Sequence, residues 1–179
     1  MSSTTPIYGF PFWVLSDSPD GPSGQQALAL ALEAKIAAMD AILNAQIATR
    51  FKGTSRPAAD DVIGTGETIM MEKVTFTAVA GRPYLVVHTD DYAIASGAPT
   101  AQTWNYRYAS GATLTTAGTL LQQFVGPPPS AAHATDTRTT VFTAPSSGQF
   151  TIGCGYFTNG GATVRHYANG RHLTVVDIT

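Results

Sequence analysis

Charge is scarce in this chain. Of its 179 residues only 12% are Asp, Glu, Lys or Arg, against about a quarter in an ordinary globular domain. The net charge is −2, with no basic block and no acidic tail. A phosphate-tracking basic stripe is therefore missing, and nucleic-acid binding of that kind is not expected. Cysteine is scarcer still: Cys154 stands alone, so no intramolecular disulfide can form and nothing points to an oxidising compartment. Long apolar runs are also wanting. The richest stretch, 27–48, is broken by Glu33, Lys35 and Asp40. An earlier one, IYGFPFWVL at 7–15, is short, interrupted by Pro11 and not preceded by basic residues. Neither is expected to serve as a membrane span, nor the N-terminal one, 7–15, as a signal peptide.

Ala, Thr, Gly and Ser fill the places that charge leaves open. Such a composition suits a β-rich chain with a threonine and serine surface, or one that hides surface by assembling. The length fits one domain of ordinary size with appendages.

Three regions follow one another. Residues 1–24 read as an extended arm, since Pro6, Pro11, Pro19 and Pro22 with Gly9, Gly21 and Gly24 forbid regular helix there. Apolar arms at chain ends need a partner; Tyr8, Phe10, Pro11, Phe12 and Trp13 are the candidate anchors. Residues 25–50 read as an alanine-rich helix, with Ser23 as N-cap and Gln26 completing a capping box. Its apolar spacing, Leu32, Ile36, Met39, Leu43, alternates four and three as a coiled-coil seam does. Leu28, Ile42 and Ile47 widen that seam, which fits either an oligomeric bundle or a helix lying on the chain's own β-domain. A linker is expected over 51–66 and a β-sandwich over 67–179, because the pattern there changes to period 2. VTFTAV (74–79), PYLVVHT (83–89), WNYRY (104–108) and further short runs predict about eight strands, with Asn169-Gly170 as a type I′ hairpin turn and GPPPS (126–130) as a surface loop. The fold class is mainly β: extended arm, one α-helix serving as a short coiled-coil stalk, and an antiparallel sandwich of jelly-roll type.

Chemistry-bearing constellations are few. GTGET (64–68) has no P-loop lysine, and no Gly-x-Ser-x-Gly elbow occurs. Cys154, in GCGY, has no adjacent basic residue and reads as a core thiol. Asp60-Asp61 and Asp90-Asp91 are sequence neighbours, so on a strand each pair points to opposite faces and makes no acid–base couple. His88, His133, His166 and His172 read as surface or hairpin histidines. For a metal, Asp90 or Asp91 would have to supply a third ligand, and no spacing places them. No catalytic residue, metal or cofactor is expected. An enzyme would need Asp90 or Asp91 to meet another carboxylate or His166 in a cleft. Trp104, Tyr106 and Tyr108 alternate and so share one strand face, either core or an exposed platform for sugar stacking.

Two stretches carry a resemblance. YGFPF followed by QQALALALEAKIAAMDA resembles the start of structural proteins of tailed bacteriophages, particularly of actinobacterial hosts. There a Tyr-Gly-x-Pro-aromatic arm precedes an alanine-rich helix. FTAPSSGQFTIG (142–153) is similar to a strand–turn–strand of trimeric jelly-roll heads, such as complement-type, tumour-necrosis-factor-like and viral fibre heads, and LTVVDI is similar to their last core strand. The resemblance implies a core position for Phe142 and Phe150. It also implies a homotrimeric virion protein, decorating the capsid or sitting on the tail or baseplate, with its arms held by other virion proteins. The alternative it leaves open is a tail module that binds a host cell-surface glycan. No nucleic-acid or membrane partner is expected.

Overall fold

A computed structural model describes the backbone of Ser3–Thr4, Pro11–Phe12 and residues 21–179, and the side chains of 26–47 and 49–179. The chain forms two compact units, Met1–Ala48 and Thr49–Thr179.

In the first unit, β1 (Ser3–Thr4) pairs antiparallel with β2 (Pro11–Phe12). Tyr8, Phe10 and Trp13 lie outside the described residues, and Pro11 and Phe12 are described by their backbone alone. Helix α1 spans Gly21–Arg50, so it begins four residues before the expected start at 25. Pro22 permits this, because a proline in the first turn lacks only an N–H that would go unpaired anyway. Ser23 then stands inside the first turn instead of capping it. Arg50 closes the helix with a positive charge in its last turn, where the helix dipole favours one.

The second unit is a two-sheet sandwich of β3 (Phe51–Ser55), β4 (Asp61–Ile63), β5 (Thr68–Ala78), β6 (Pro83–Ser96), β7 (Gln102–Ser110), β8 (Thr119–Gly126), β9 (Ala134–Thr143), β10 (Gly148–Thr158), β11 (Thr163–His166) and β12 (His172–Asp177). One sheet runs β5-β10-β7-β8. The other is built on β6, with β9 along one edge. Along its other edge β12 and β11 lie in succession, with β3 beyond β12 and β4 beyond β11. Taking β3 with β4 and β11 with β12 as single lines, the chain changes sheet at every step except β7 to β8. That winding is the jelly roll.

The lower part of the interior is aromatic. Phe76, Tyr84, Phe142 and Phe150 are buried, with Tyr84 5.0 Å from Phe76 and Phe142 5.3 Å from Phe150. Full burial of each ring contributes on the order of 2 kcal/mol, with about 1 kcal/mol more for each well-set edge-to-face pair. Phe142 and Phe150 thus occupy the core positions that the resemblance implied.

Several local expectations are corrected. The stretch 51–66 carries two strands, β3 and β4, not only linker; its Gly and Pro content hid two short edge segments. Residues 168–170 make a 3₁₀ turn and not a hairpin. Gly170 has no positive φ, and β11 and β12 both pair with β6 instead of with each other. The longer strand β6 overrides the local Asn-Gly signal. β6 also continues through Asp90-Asp91 to Ser96, beyond the expected end at 89. The GPPPS loop is found between β8 and β9.

Candidate functional site

Strand alternation sets one row of each strand inward, and on β5 and β6 that row contains charge. Met70, Glu72, Val74, Phe76 and Ala78 point inward from β5, as do Tyr84, Val86, His88, Asp90 and Tyr92 from β6. Glu72, His88 and Asp90 have no solvent exposure at all. Their partners arrive from distant strands. His88 Nε2 lies 2.9 Å from Glu72 Oε1, and its Nδ1 lies 2.9 Å from the Tyr106 hydroxyl. Arg171, also fully buried, sets Nε 3.0 Å from Glu72 Oε2 and donates through Nη2 to Asp61 Oδ2 at 2.8 Å.

A second set centres on Asp90. His166 Nδ1 lies 2.9 and 3.0 Å from its two oxygens, and the Trp104 indole N–H donates to Oδ2 at 2.9 Å. Burial alone would raise the Asp90 pKa. The charge and hydrogen bond of His166 outweigh it, aided by His88 and the indole, and hold the carboxyl at about 2. A third chain of bonds runs from the Tyr156 hydroxyl to Gln102 Oε1, from Gln102 Nε2 to Tyr92, and from the Tyr92 hydroxyl to Asp136. Arg138 also donates to Asp136 and lies 3.4 Å over the Trp104 ring. Burial, then the bond to Asp136, pushes the Tyr92 hydroxyl up to about 12. Cys154 is raised well above its ordinary range by burial and by the charges of Asp90 and Glu72, so it stays a thiol.

This cluster brings Asp90 to His166, the contact that an enzyme reading requires, but at a place where both are fully buried. A substrate needs access that these atoms lack, so the cluster's chemistry is structural: it pins the two sheets in one register. Among the described residues no group of three or more His, Cys, Asp and Glu is arranged to hold a metal ion. His88 and His166 are corrected from surface or hairpin to core positions, while His133 is exposed and stacks on Tyr167 at 4.0 Å. His166 and His172 lie at different levels of β6, paired with Tyr92 and Thr89. Glu72, Arg171 and Gln102 were missed by sequence reasoning. The signal was the inward phase of Met70, Val74 and Phe76, which carries Glu72 with it.

Trp104, Tyr106 and Tyr108 do share one face, and it is the inner one. Trp104 and Tyr106 are buried, and Tyr108 packs on the core, 4.8 Å from Phe142. An exposed sugar platform at these residues is ruled out, because the face with most aromatic area is the one that burial favours most.

The surface feature of note is in the first unit. Leu32, Ile36, Met39 and Leu43 of α1 are 48%, 50%, 69% and 55% exposed, and Leu28, Ile42 and Ile47 are exposed with them. Soluble monomers rarely leave so much contiguous aliphatic surface bare. No helix of the described residues is long and apolar enough to cross a membrane.

No protein-family model and no curated protein matches the sequence. Among solved structures the chain is similar to the Eiger TNF of S. frugiperda, at 8% identity over 73% of this chain and 94% of that one, with a TM-score of 0.46. It is also similar to the globular domain of zebrafish complement 1qA, at 8% identity over 72% and 96%, TM-score 0.39. A third is a carbohydrate-binding module (CBM6cm-2) of Cellvibrio mixtus lichenase 5A in complex with cellotriose, at 13% identity over 72% and 99%, TM-score 0.34. At such scores the likeness adds nothing to the topology already described.

Proposed function

We propose that this chain is a structural protein of a tailed-phage virion, homotrimeric, held in the particle by its N-terminal arm and presenting its jelly roll outward. The observation that carries the self-association is the bare aliphatic seam of α1. A seam spaced four and three is the geometry for a partner helix, and the flanking Leu28 and Ile42 make the stripe wider than a two-stranded coil needs. Charge placement agrees with parallel chains. With Ile36 and Leu43 at a positions and Leu32 and Met39 at d, Lys35 falls at g and Asp40 at e, five residues on. In a parallel bundle those two positions face each other on adjacent helices. The resemblance of YGFPF and the following helix to phage structural proteins supports the virion setting, and the aromatic arm is a means of docking extended chain into a neighbour's pockets.

The test is the solution mass of the full chain by sedimentation equilibrium, beside Ile36→Asp and a chain lacking residues 1–24. The expected result is a trimer for the full and armless chains and a smaller species for Ile36→Asp. A monomeric full chain would overturn the reading. Mass spectrometry of purified particles should find the chain in the virion; its absence would sink the setting even if the trimer stands.

A further inference from the structure

The two outer faces of the sandwich differ. On the β5-β10-β7-β8 sheet the chain covers the middle of the face itself and leaves Met71, Leu120 and Val125 exposed only along the two edge strands, β5 and β8. Leu114, from the β7–β8 loop, is buried against that face, and the Arg107–Glu67 ion pair, with Nε 2.6 Å from Oε1, lies beside it. Gly153 of β10 makes room, since a Cβ there would sit 2.8 Å from Leu114 Cδ2.

Within the second unit the other sheet has no such cover, and its outer face has almost no charge. Register sets Phe51, Val176, Leu85 and Val141 side by side across four strand lines. Phe51 and Val141 are 48% and 46% exposed. The next row is Thr54, Thr174, Val87 and Thr139, with the Thr54 and Thr174 hydroxyls 2.9 Å apart. Above it Thr89 faces Thr137. His172, at the rim, has its pKa lowered by burial and then by Arg56, which favours the neutral ring. Asp91 and Arg165 come only beyond that level.

We infer that this face is an interface between the β-heads of neighbouring copies of this chain, an inference that rests on the self-association proposed above. Three observations select a second copy as occupant. An uncharged apolar-and-threonine face fits a partner that is equally uncharged, and the same face on another copy is one. Phe51 directly follows Arg50, where α1 ends, so a bundle of α1 helices draws the heads of neighbouring copies together. Area is the third. Four lines at about 4.8 Å and about eight residues at about 3.3 Å make a face of roughly 500 Å². The seam of a helix about 45 Å long and about 10 Å across offers a similar amount. Each alone falls short of the roughly 800 Å² that one partner gives to a standard interface, and the two together reach it.

The experiment is sedimentation equilibrium of the full chain and of Val141→Lys, Thr139→Lys and Thr77→Lys, the last on the opposite outer face. Circular dichroism and melting of each variant check folding. Expected is a trimer whose dissociation midpoint rises at least 100-fold in concentration for Val141→Lys and Thr139→Lys and stays within threefold for Thr77→Lys. If the first two remain as tightly trimeric as the parent, the face is not an interface, although the helix-borne trimer stands. If the parent itself is monomeric, this inference and the reading beneath it both fail.

Discussion

Replacing Asp90 with asparagine tests the polar interior at its most loaded point. The carboxyl titrates at about 2 in the folded chain against an ordinary value of 3.8. At about 1.4 kcal/mol per unit, the ionised form contributes about 2–3 kcal/mol to stability. The sign follows from linkage. A folded pKa below the unfolded one means the contribution is full above the unfolded value and is lost as pH falls toward 2. Asparagine resembles the protonated acid in shape and charge. Urea unfolding at fixed protein concentration should therefore show Asp90→Asn less stable than the parent by about 2–3 kcal/mol at pH 7. The gap should narrow progressively below pH 4 and nearly close at pH 2. Trp104 fluorescence is the local probe, since its N–H bonds to this carboxylate. Asp177 titrates in the same window: burial would raise it, but the Thr179 hydroxyl and N–H and the Arg82 guanidinium hold it at about 2. Because Asp177 is present in both chains, it cancels in the difference. A gap that stays constant from pH 7 to pH 2, or one below about 0.5 kcal/mol at pH 7, would refute the reasoning.

Two further outcomes are expected. Arg171→Leu strands the Glu72 carboxylate in the core with only His88 beside it; it should lose about 3–5 kcal/mol, or about 10–20 °C in melting temperature. A loss under 1 kcal/mol would show that the pair is not load-sharing, and Glu72→Gln combined with Arg171→Leu should recover part of the deficit. Cys154, fully buried and kept protonated, should react with a disulfide reagent at pH 8 only as fast as the chain unfolds. Stoichiometric labelling of the native chain within minutes would contradict the burial assigned to it.

The sandwich was legible because its strands obey the alternation that one buried face imposes, and PYLVVHT and WNYRY fall inside strands as read. What escaped was charge in the inward row. Glu72 and Asp90 look like strand-breaking or surface residues until their partners are known. Those partners are remote: His166 is 76 residues from Asp90, and no local pattern announces the pairing. Alternation could have flagged the problem without solving it, since Asp90 is in phase with Tyr84 and Val86. The Asn169-Gly170 turn failed for a related reason. Its local preference for a hairpin turn is outweighed by two successive runs of pairing along one edge of β6. For Trp104 and Tyr106 the shared face was read correctly and only its side was left open.

The distribution of charge joins the interior to the proposed assembly. A monomeric head this poor in ionisable residues would be expected to set them all outside, where they keep surfaces apart. Here Glu72, Asp90 and Arg171 are wholly inside, and the broad outer rows of the larger sheet are left to threonine, valine, leucine and phenylalanine. Buried ion pairs contribute little net stability over an apolar core of equal volume, but they penalise every register other than the one that pairs them. The arrangement therefore trades solubility of one face for a single defined shape. That trade makes sense if the bare face is covered by identical copies, because an interface repeated through a particle demands the same shape from every chain.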